Sequence, residues 1–271
     1  MLLDTFGREI YYLRISVTDR CNFRCTYCMP SDGIEFKSHD QMLRYEDIAK
    51  IALEAGKIGF YKIRLTGGEP LVKKNIEHCV ALIKATGYYR DICMTTNGSL
   101  LTYGKAVALK TAGLDRVTIS LDTLDSETFT RITRGGIVAD VIRGIDAAQS
   151  AGFANTKINM VITRETTPDE IEQMRSFCQS KGAILQLIHR FSLSDRDDVS
   201  INEVAAERPP KCRKCNRIRI TADGFVKPCL FSDNEEKIDL SDIAGSLRRA
   251  IQHKPENGVA CNTRSMSQIG G

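Results

Sequence analysis

Six short runs of β-branched and apolar residues recur through the first 190 residues, and helical periodicity fills most of the gaps between them. The runs are YYLRISV (11–17), YKIRLT (61–66), DICMTT (91–96), DRVTISL (115–121), TKINMVI (156–162) and ILQLIH (184–189). Residues 45–57 place Ile48, Ile51, Ala52 and Ala55 on one helical face, and 75–86, 102–112, 138–151 and 168–181 read similarly. Pro168 opens the last of these, at a position where a helix tolerates proline. Glycines such as Gly87, Gly113 and Gly152 stand near the expected helix ends. Strand and helix in alternation predict an α/β fold with a parallel sheet and right-handed crossovers. Six units fall short of the eight of a closed (β/α) barrel. An open partial barrel and an open doubly wound sheet both satisfy the pattern. A chain of 271 residues is long enough to bury such a core.

After His189 the pattern breaks, which divides the chain into a first unit over 1–190, a linker over 191–211 and a C-terminal region over 212–271. The stretch RIRITADGFVKPCLF (217–231) predicts a β-hairpin turning at Asp223-Gly224. Residues 239–253 predict an amphipathic helix capped by Ser241 or Asp239. The tail from Asn262 shows no periodicity. No run approaches 18 apolar residues, which excludes a transmembrane helix. The first residues lack the signal-peptide pattern, so a cytoplasmic location is expected. A net charge of +4 is too mild to argue for nucleic acid but suits an anionic small molecule. With no tryptophan and 7% aromatics, a base-stacking surface has little support.

Ten cysteines stand out in a chain with no export signal. Cys79, Cys93, Cys178 and Cys261 are scattered and read as small buried hydrophobes. The other six form two groups. The first, TDRCNFRCTYCMP, spaces Cys21, Cys25 and Cys28 as C-x3-C-x2-C. Three thiolates on one short loop can hold three irons of a 4Fe–4S cluster and leave the fourth open, whereas electron-transfer clusters take four cysteines. Zinc would require a fourth ligand, with His39 the nearest candidate, and zinc ligands usually come in pairs. The second group, Cys212, Cys215 and Cys229, has the spacing C-x2-C-x13-C on a hairpin. A zinc ribbon looks the same, with His189, His253 or Cys261 as fourth ligand, so spacing alone leaves zinc and iron–sulfur about even.

The C-x3-C-x2-C loop, with aromatic Tyr27 before its last cysteine, resembles the signature of the radical S-adenosylmethionine (SAM) enzymes. Their fold, a partial six-stranded (β/α) barrel, decides between the two architectures. The resemblance implies that the first cluster binds SAM and reductively cleaves it to a radical that abstracts a substrate hydrogen. Thr66-Gly67-Gly68-Glu69-Pro70 resembles the family segment that receives the SAM amino group. Tyr27, Gly67, Gly68, Glu69 and Ser120 thus fall at cofactor-binding positions. Phe191 falls where a methionine would contact SAM.

Taken together, LRISVTDRCNFRCTYCMP, KIRLTGGEPL, MTTNG, DRVTISLD, CNRIRITADGFVKPCLF and the terminal Ile-Gly-Gly resemble the GTP 3′,8-cyclases of molybdenum cofactor biosynthesis. This implies a second 4Fe–4S cluster on Cys212, Cys215 and Cys229, facing GTP. Arg14, Lys62, Arg64, Thr95, Lys157, Arg217 and Arg219 fall at that family's substrate-binding positions. Arginine forks suit phosphate oxygens. Arg217, Arg219, Gly270 and Gly271 fall at positions that act in catalysis, the two glycines as a tail that enters the site. The resemblance also implies a flavodoxin-like or ferredoxin-like electron donor, and it leaves a homodimer open. Members of the family are longer, the shortfall lying between the sixth strand and Cys212. Two other readings stay open: a radical SAM paralogue acting on another nucleotide or a peptide, and a metal-binding module without turnover.

Overall fold

The structure, a computed structural model, describes residues 1–195, 206 and 211–270. Strands β1 (Tyr12–Ser16), β2 (Lys62–Thr66), β3 (Asp91–Thr96), β4 (Arg116–Ser120), β5 (Lys157–Ile162) and β6 (Ile184–His189) alternate with helices. The helices are α1 (Tyr45–Lys57), α2 (Ile76–Ala85), α3 (Tyr103–Thr111), α4 (Ser126–Thr133), α5 (Val138–Ser150) and α6 (Pro168–Ser180). There follow β7 (Arg217–Ile220), β8 (Phe225–Lys227), β9 (Glu236–Lys237), α7 (Ile243–Gln252) and α8 (Met266–Ile269). Among the described residues, nine strands form one sheet in the order β6-β5-β4-β3-β2-β1-β7-β8-β9. It does not close on itself, and its edges are β6 and β9.

Strands β1 to β6 pair in parallel, as the alternation requires. The hairpin extends this sheet. Strand β7 runs parallel to β1, with Tyr12 opposite Arg217 and Arg14 opposite Arg219. It then turns at Asp223-Gly224, where Gly224 has φ 79°, and β8 returns antiparallel. The barrel therefore has seven parallel strands, and the C-terminal cysteines are tied directly to the N-terminal strand.

Side chains alternate between two faces. Leu13, Ile15, Ile63, Leu65, Ile92, Met94, Val117, Ile119, Ile158 and Met160 are almost fully buried and belong to one core. Each such side chain contributes about 1.5–3 kcal/mol of burial. The opposite face carries Arg14, Arg64, Thr95, Thr118, Asn159, Gln186 and Arg219, and all of these line one cavity. Seven strands can face one cavity only if the sheet curls around it.

Three local expectations are corrected. α4 and α8 were not legible as helices. The former is short and buries only Phe129 and Thr133. The last long helix is capped by neither Ser241 nor Asp239. Those two form a turn of their own, with Ser241 N donating to Asp239 Oδ1 at 2.8 Å, and Asp242 accepts the capping bond from Gly245 N. The linker over 191–211 falls largely outside the described residues, as does Gly271. Among the described residues, no helix is long and apolar enough to cross a membrane.

Candidate active site

The first cysteine loop follows β1 at the C-terminal edge of the sheet. Cys21, Cys25 and Cys28 are each partly exposed. A tight turn gathers them, since the N–H groups of Cys28 and Met29 both donate to Cys25 O, at 2.9 and 3.0 Å. Two supports hold this loop. The first is α4: Arg24 N and Thr26 N donate to Thr133 O and Ile132 O at 3.0 and 2.9 Å, and Phe23 meets Phe129 edge-on at 6.0 Å. The second is the Gly-Gly-Glu-Pro turn, where Gly68 N donates to Thr18 O and Glu69 N to Arg20 O, both at 2.8 Å. A Cβ on Gly67 or Gly68 would lie 2.7 Å from Thr18 O or 2.3 Å from Arg20 O. These glycines thus let the cysteine loop lie directly on the end of β2.

Glu69 is buried beneath this junction. Its carboxylate accepts from Leu71 N at 2.9 Å, Thr96 Oγ1 at 2.7 Å and Asn97 N at 2.6 Å. Burial outweighs these bonds and lifts its pKa to about 7. Glu69 ties the ends of β2 and β3 together, and Asn97 in turn directs its amide at Cys21 Sγ, 3.9 Å away. Tyr27 donates its hydroxyl to Asp122 at 2.6 Å, and Asp122 also accepts from Val161 N at 2.9 Å. Tyr27, Asp122, Val161, Thr163 and Arg190 line a polar cavity beside the loop. Ser120 ends β4 and lines neither cavity. Burial pushes the Cys21 thiol up to about 11 and Cys28 up to about 12, and raises Cys25 further still. Thiolates there call for a bound cation, as an iron–sulfur core supplies. Three sulfurs on one turn, a buttressed backbone and a polar cavity beside them fit such a cluster with SAM.

The larger feature is the cavity inside the barrel. Arg14, Arg64, Arg217, Arg219 and Lys254 face it, and the described lining holds no aspartate or glutamate. Arg64 is fixed by Tyr12 at 2.5 Å, Thr95 at 2.8 Å and Thr118 at 2.9 Å. The Nε atoms of Arg217 and Arg219 and Oδ1 of Asn159 are buried with no hydrogen-bond partner. Burial, with Arg217 next to it, lowers the Arg219 guanidinium to about 10. Arg14 is lowered too, by burial first and by the neighbouring arginines. Burial alone would raise the Tyr12 phenol, but Arg64, Arg14 and Arg217 outweigh it and bring it down to about 8. Buried charge without a counter-charge costs several kcal/mol per ion. The arrangement is that of a receptor for a polyanion.

Cys212, Cys215 and Cys229 line the same cavity. Burial would raise the Cys215 thiol, but Lys254, the Arg217 backbone and the Arg217 and Arg219 guanidiniums more than offset it, so it lies below its ordinary value. Lys254 is itself buried and donates to Arg217 O at 3.0 Å and Pro228 O at 2.5 Å. Arg8, ion-paired with buried Asp4 at 2.6 Å, donates to Cys212 O at 3.1 Å. A Cβ on Gly258 would fall 2.6 Å from Cys229 Sγ, so the missing side chain keeps room around that sulfur. Three cysteines on one cavity wall, with space kept about Cys229, fit an iron–sulfur cluster. Among the described residues, no three His, Cys, Asp or Glu side chains are placed to hold a single metal ion.

Of the residues singled out from the sequence, Arg14, Arg64, Thr95, Phe191, Arg217, Arg219 and the second cysteine group come together around this cavity. Phe191 packs on Phe231 at 5.4 Å there. Lys62 and Lys157 do not line it. Lys62 pairs with Asp91 at 2.8 Å near the start of β2, and Lys157 stands opposite Thr118 at the start of β5. Gly270 is buried, with φ 80°, and a Cβ there would lie 2.2 Å from Thr66 Oγ1. Sequence reasoning missed Tyr12, Asp122, Lys254, Arg8 and α4. For α4 the one local hint is Asp125 as a cap, which accepts from Thr128 N at 2.8 Å, too little by itself to mark a helix.

Comparison with known proteins agrees with this geometry. Residues 15–178 match the Radical SAM superfamily, and residues 142–257 match Molybdenum Cofactor Synthesis C. A GTP 3′,8-cyclase of Moorella thermoacetica is 38% identical over an alignment covering 99% of both chains. One from Petrotoga mobilis is 36% identical and covers 100% of both. The Moorella alignment runs to 325 positions against 271 residues here, so about fifty positions fall opposite gaps in this chain. Streptococcus suis SuiB, solved with S-adenosylmethionine bound, shares the fold at TM-score 0.67 and 16% identity, over 89% of this chain and 68% of its own. The chain belongs to the radical SAM superfamily and, within it, to the family of the GTP 3′,8-cyclases.

Proposed function

We propose that the chain converts GTP to 3′,8-cyclo-7,8-dihydro-GTP in molybdenum cofactor biosynthesis, using SAM and two 4Fe–4S clusters. One observation carries the substrate: buried Arg217, Arg219 and Lys254, with half-buried Arg14 and Arg64, face a cavity whose described lining has no carboxylate. A triphosphate would bring negative charge to these cations. Cys21, Cys25 and Cys28 would hold the first cluster and Cys212, Cys215 and Cys229 the second. Bound there with SAM, the first cluster would supply the radical chemistry needed to remove the ribose 3′ hydrogen.

The chain's own residues bind and orient. Arg14, Arg217 and Arg219 grip the triphosphate, and Arg64 is held ready by Tyr12, Thr95 and Thr118. Unpaired Asn159 Oδ1 offers an acceptor to an N–H or hydroxyl of the nucleoside. The second triad shares the cavity, so its cluster would meet the base. Phe191, Leu230 and Phe231 give this end an apolar wall that excludes water. Electrons come from a flavodoxin-like or ferredoxin-like donor.

The test is anaerobic turnover of reconstituted protein with dithionite and SAM, assaying 5′-deoxyadenosine with and without GTP. GTP-dependent 5′-deoxyadenosine with a cyclised guanine product is expected. SAM cleavage indifferent to GTP would refute GTP as substrate. It would favour a paralogue acting on another phosphorylated nucleotide.

A further inference from the structure

The C-terminal segment is held to the hairpin at one point of unusual density. Arg264, 10% exposed, spreads its guanidinium over two carboxylates. Its Nε donates to both oxygens of Glu235 at 2.9 and 2.8 Å, and Nη2 reaches Glu235 Oε1 at 2.7 Å. Nη1 and Nη2 donate to the two oxygens of Asp223, each at 3.0 Å. The partners are themselves fixed. Thr221 Oγ1 donates to Asp223 at 2.5 Å, and fully buried Lys227 donates to Glu235 at 3.2 Å. The Phe225 ring lies 5.0 Å from the guanidinium carbon. Two cations and two anions balance, so the cluster does not call for an outside ion.

The consequence lies just downstream. Ser265 opens α8, Met266 lines the arginine cavity, and Ile269 packs with Leu230 and Phe231. Gly270 then stands against Thr66 and Ser16, at the C-terminal ends of β2 and β1. Besides Arg264, the described tail is fixed upstream by the bonds of Asn262 and Thr263 to exposed Asp233. We propose that Arg264 is the anchor that seats the tail at the mouth of the barrel, a positioning residue acting through Gly270. The seating itself stands on geometry alone. Its effect on turnover rests on the cyclase reading.

The experiment is hydrogen–deuterium exchange on full-length reconstituted protein, followed by peptides covering 265–270. Arg264→Ala should speed exchange there about tenfold or more, the scale of one lost charge-assisted bond, while β1 and β2 stay protected. Arg264→Lys should fall between, because one ammonium cannot fork two carboxylates. Glu235→Gln should reproduce the effect more weakly and serves if Arg264→Ala does not fold. Unchanged protection of 265–270 in both Arg264→Ala and Glu235→Gln would overturn the proposal. In the same variants, kcat for cyclisation should fall while KM for GTP holds. Released amides with full turnover would leave the anchor standing and refute the tail's part in the reaction.

Discussion

Replacing Gly68 by alanine tests whether the cysteine loop depends on the turn beneath it. The new Cβ would lie 2.3 Å from Arg20 O and 2.9 Å from Asp19 O, where ordinary contact begins at 3.4 Å. The obstacle is backbone, so no flexible side chain can swing aside. The two segments must part by about 1 Å. That stretches the bonds from Gly68 N and Glu69 N, each worth about 1 kcal/mol, and adds about 1–3 kcal/mol of overpacking. A total of about 3–5 kcal/mol lowers the melting midpoint by about 6–20 °C in a chain of this size. Cys21 sits one residue beyond Arg20, so iron retention should fall with it. Calorimetry and iron content of anaerobically reconstituted Gly68→Ala read both effects. Gly104→Ala is the control: nothing lies within 4 Å of its Cβ, and an exposed helical alanine should stabilise by about 0.5–1 kcal/mol. Wild-type melting and iron content in Gly68→Ala would refute the close-approach argument.

Three further outcomes follow from the site. With the Tyr12 phenol at about 8, its ionisation above that pH puts a negative charge among the arginines and competes with the ligand. GTP affinity by calorimetry should fall above pH 8 in the native protein and hold in Tyr12→Phe; parallel profiles would remove Tyr12 from the binding site. Glu69 is raised from 4.5 to about 7, so its contribution to stability is fully present below 4.5 and is lost as pH rises through 7. Melting midpoints of Glu69→Gln should show a flatter slope across that window, and an unchanged slope would contradict the assignment. Cys21, Cys25 or Cys28→Ala should abolish 5′-deoxyadenosine, while Cys212, Cys215 or Cys229→Ala should spare part of it and lose the cyclised product. Equal loss of both from either set would break this division of labour.

The layered framework was legible because parallel strands buried on one face carry unbroken chemistry on that face. Leu13 and Ile15 or Ile63 and Leu65 announce strands by themselves. Arg14 and Arg64 were equally readable, since a charge between such residues needs an anion. What escaped was chemistry set by distant contact. Lys254 sits in an ordinary polar stretch, and only the fold carries it to Pro228 O and Arg217 O. Tyr12 looks like any strand tyrosine until Arg64 and Arg217 close around it. Arg217 to Ile220 read as one arm of a detached hairpin, because no local pattern says which strand it will join.

That last pairing also shapes how the protein is made. Strand β1 lies between β2 and β7, and β7 begins at residue 217 of 271. Along a chain emerging from its N-terminus, β1 can take up β2 early, but its other edge stays bare until most of the sequence exists. An unpaired, apolar edge strand is a template for association with other chains. Closing it spans some two hundred residues, which makes this the slow, high-contact-order step of assembly. The three N-terminal cysteines, five residues beyond that edge, wait through the same interval with their sulfurs uncovered.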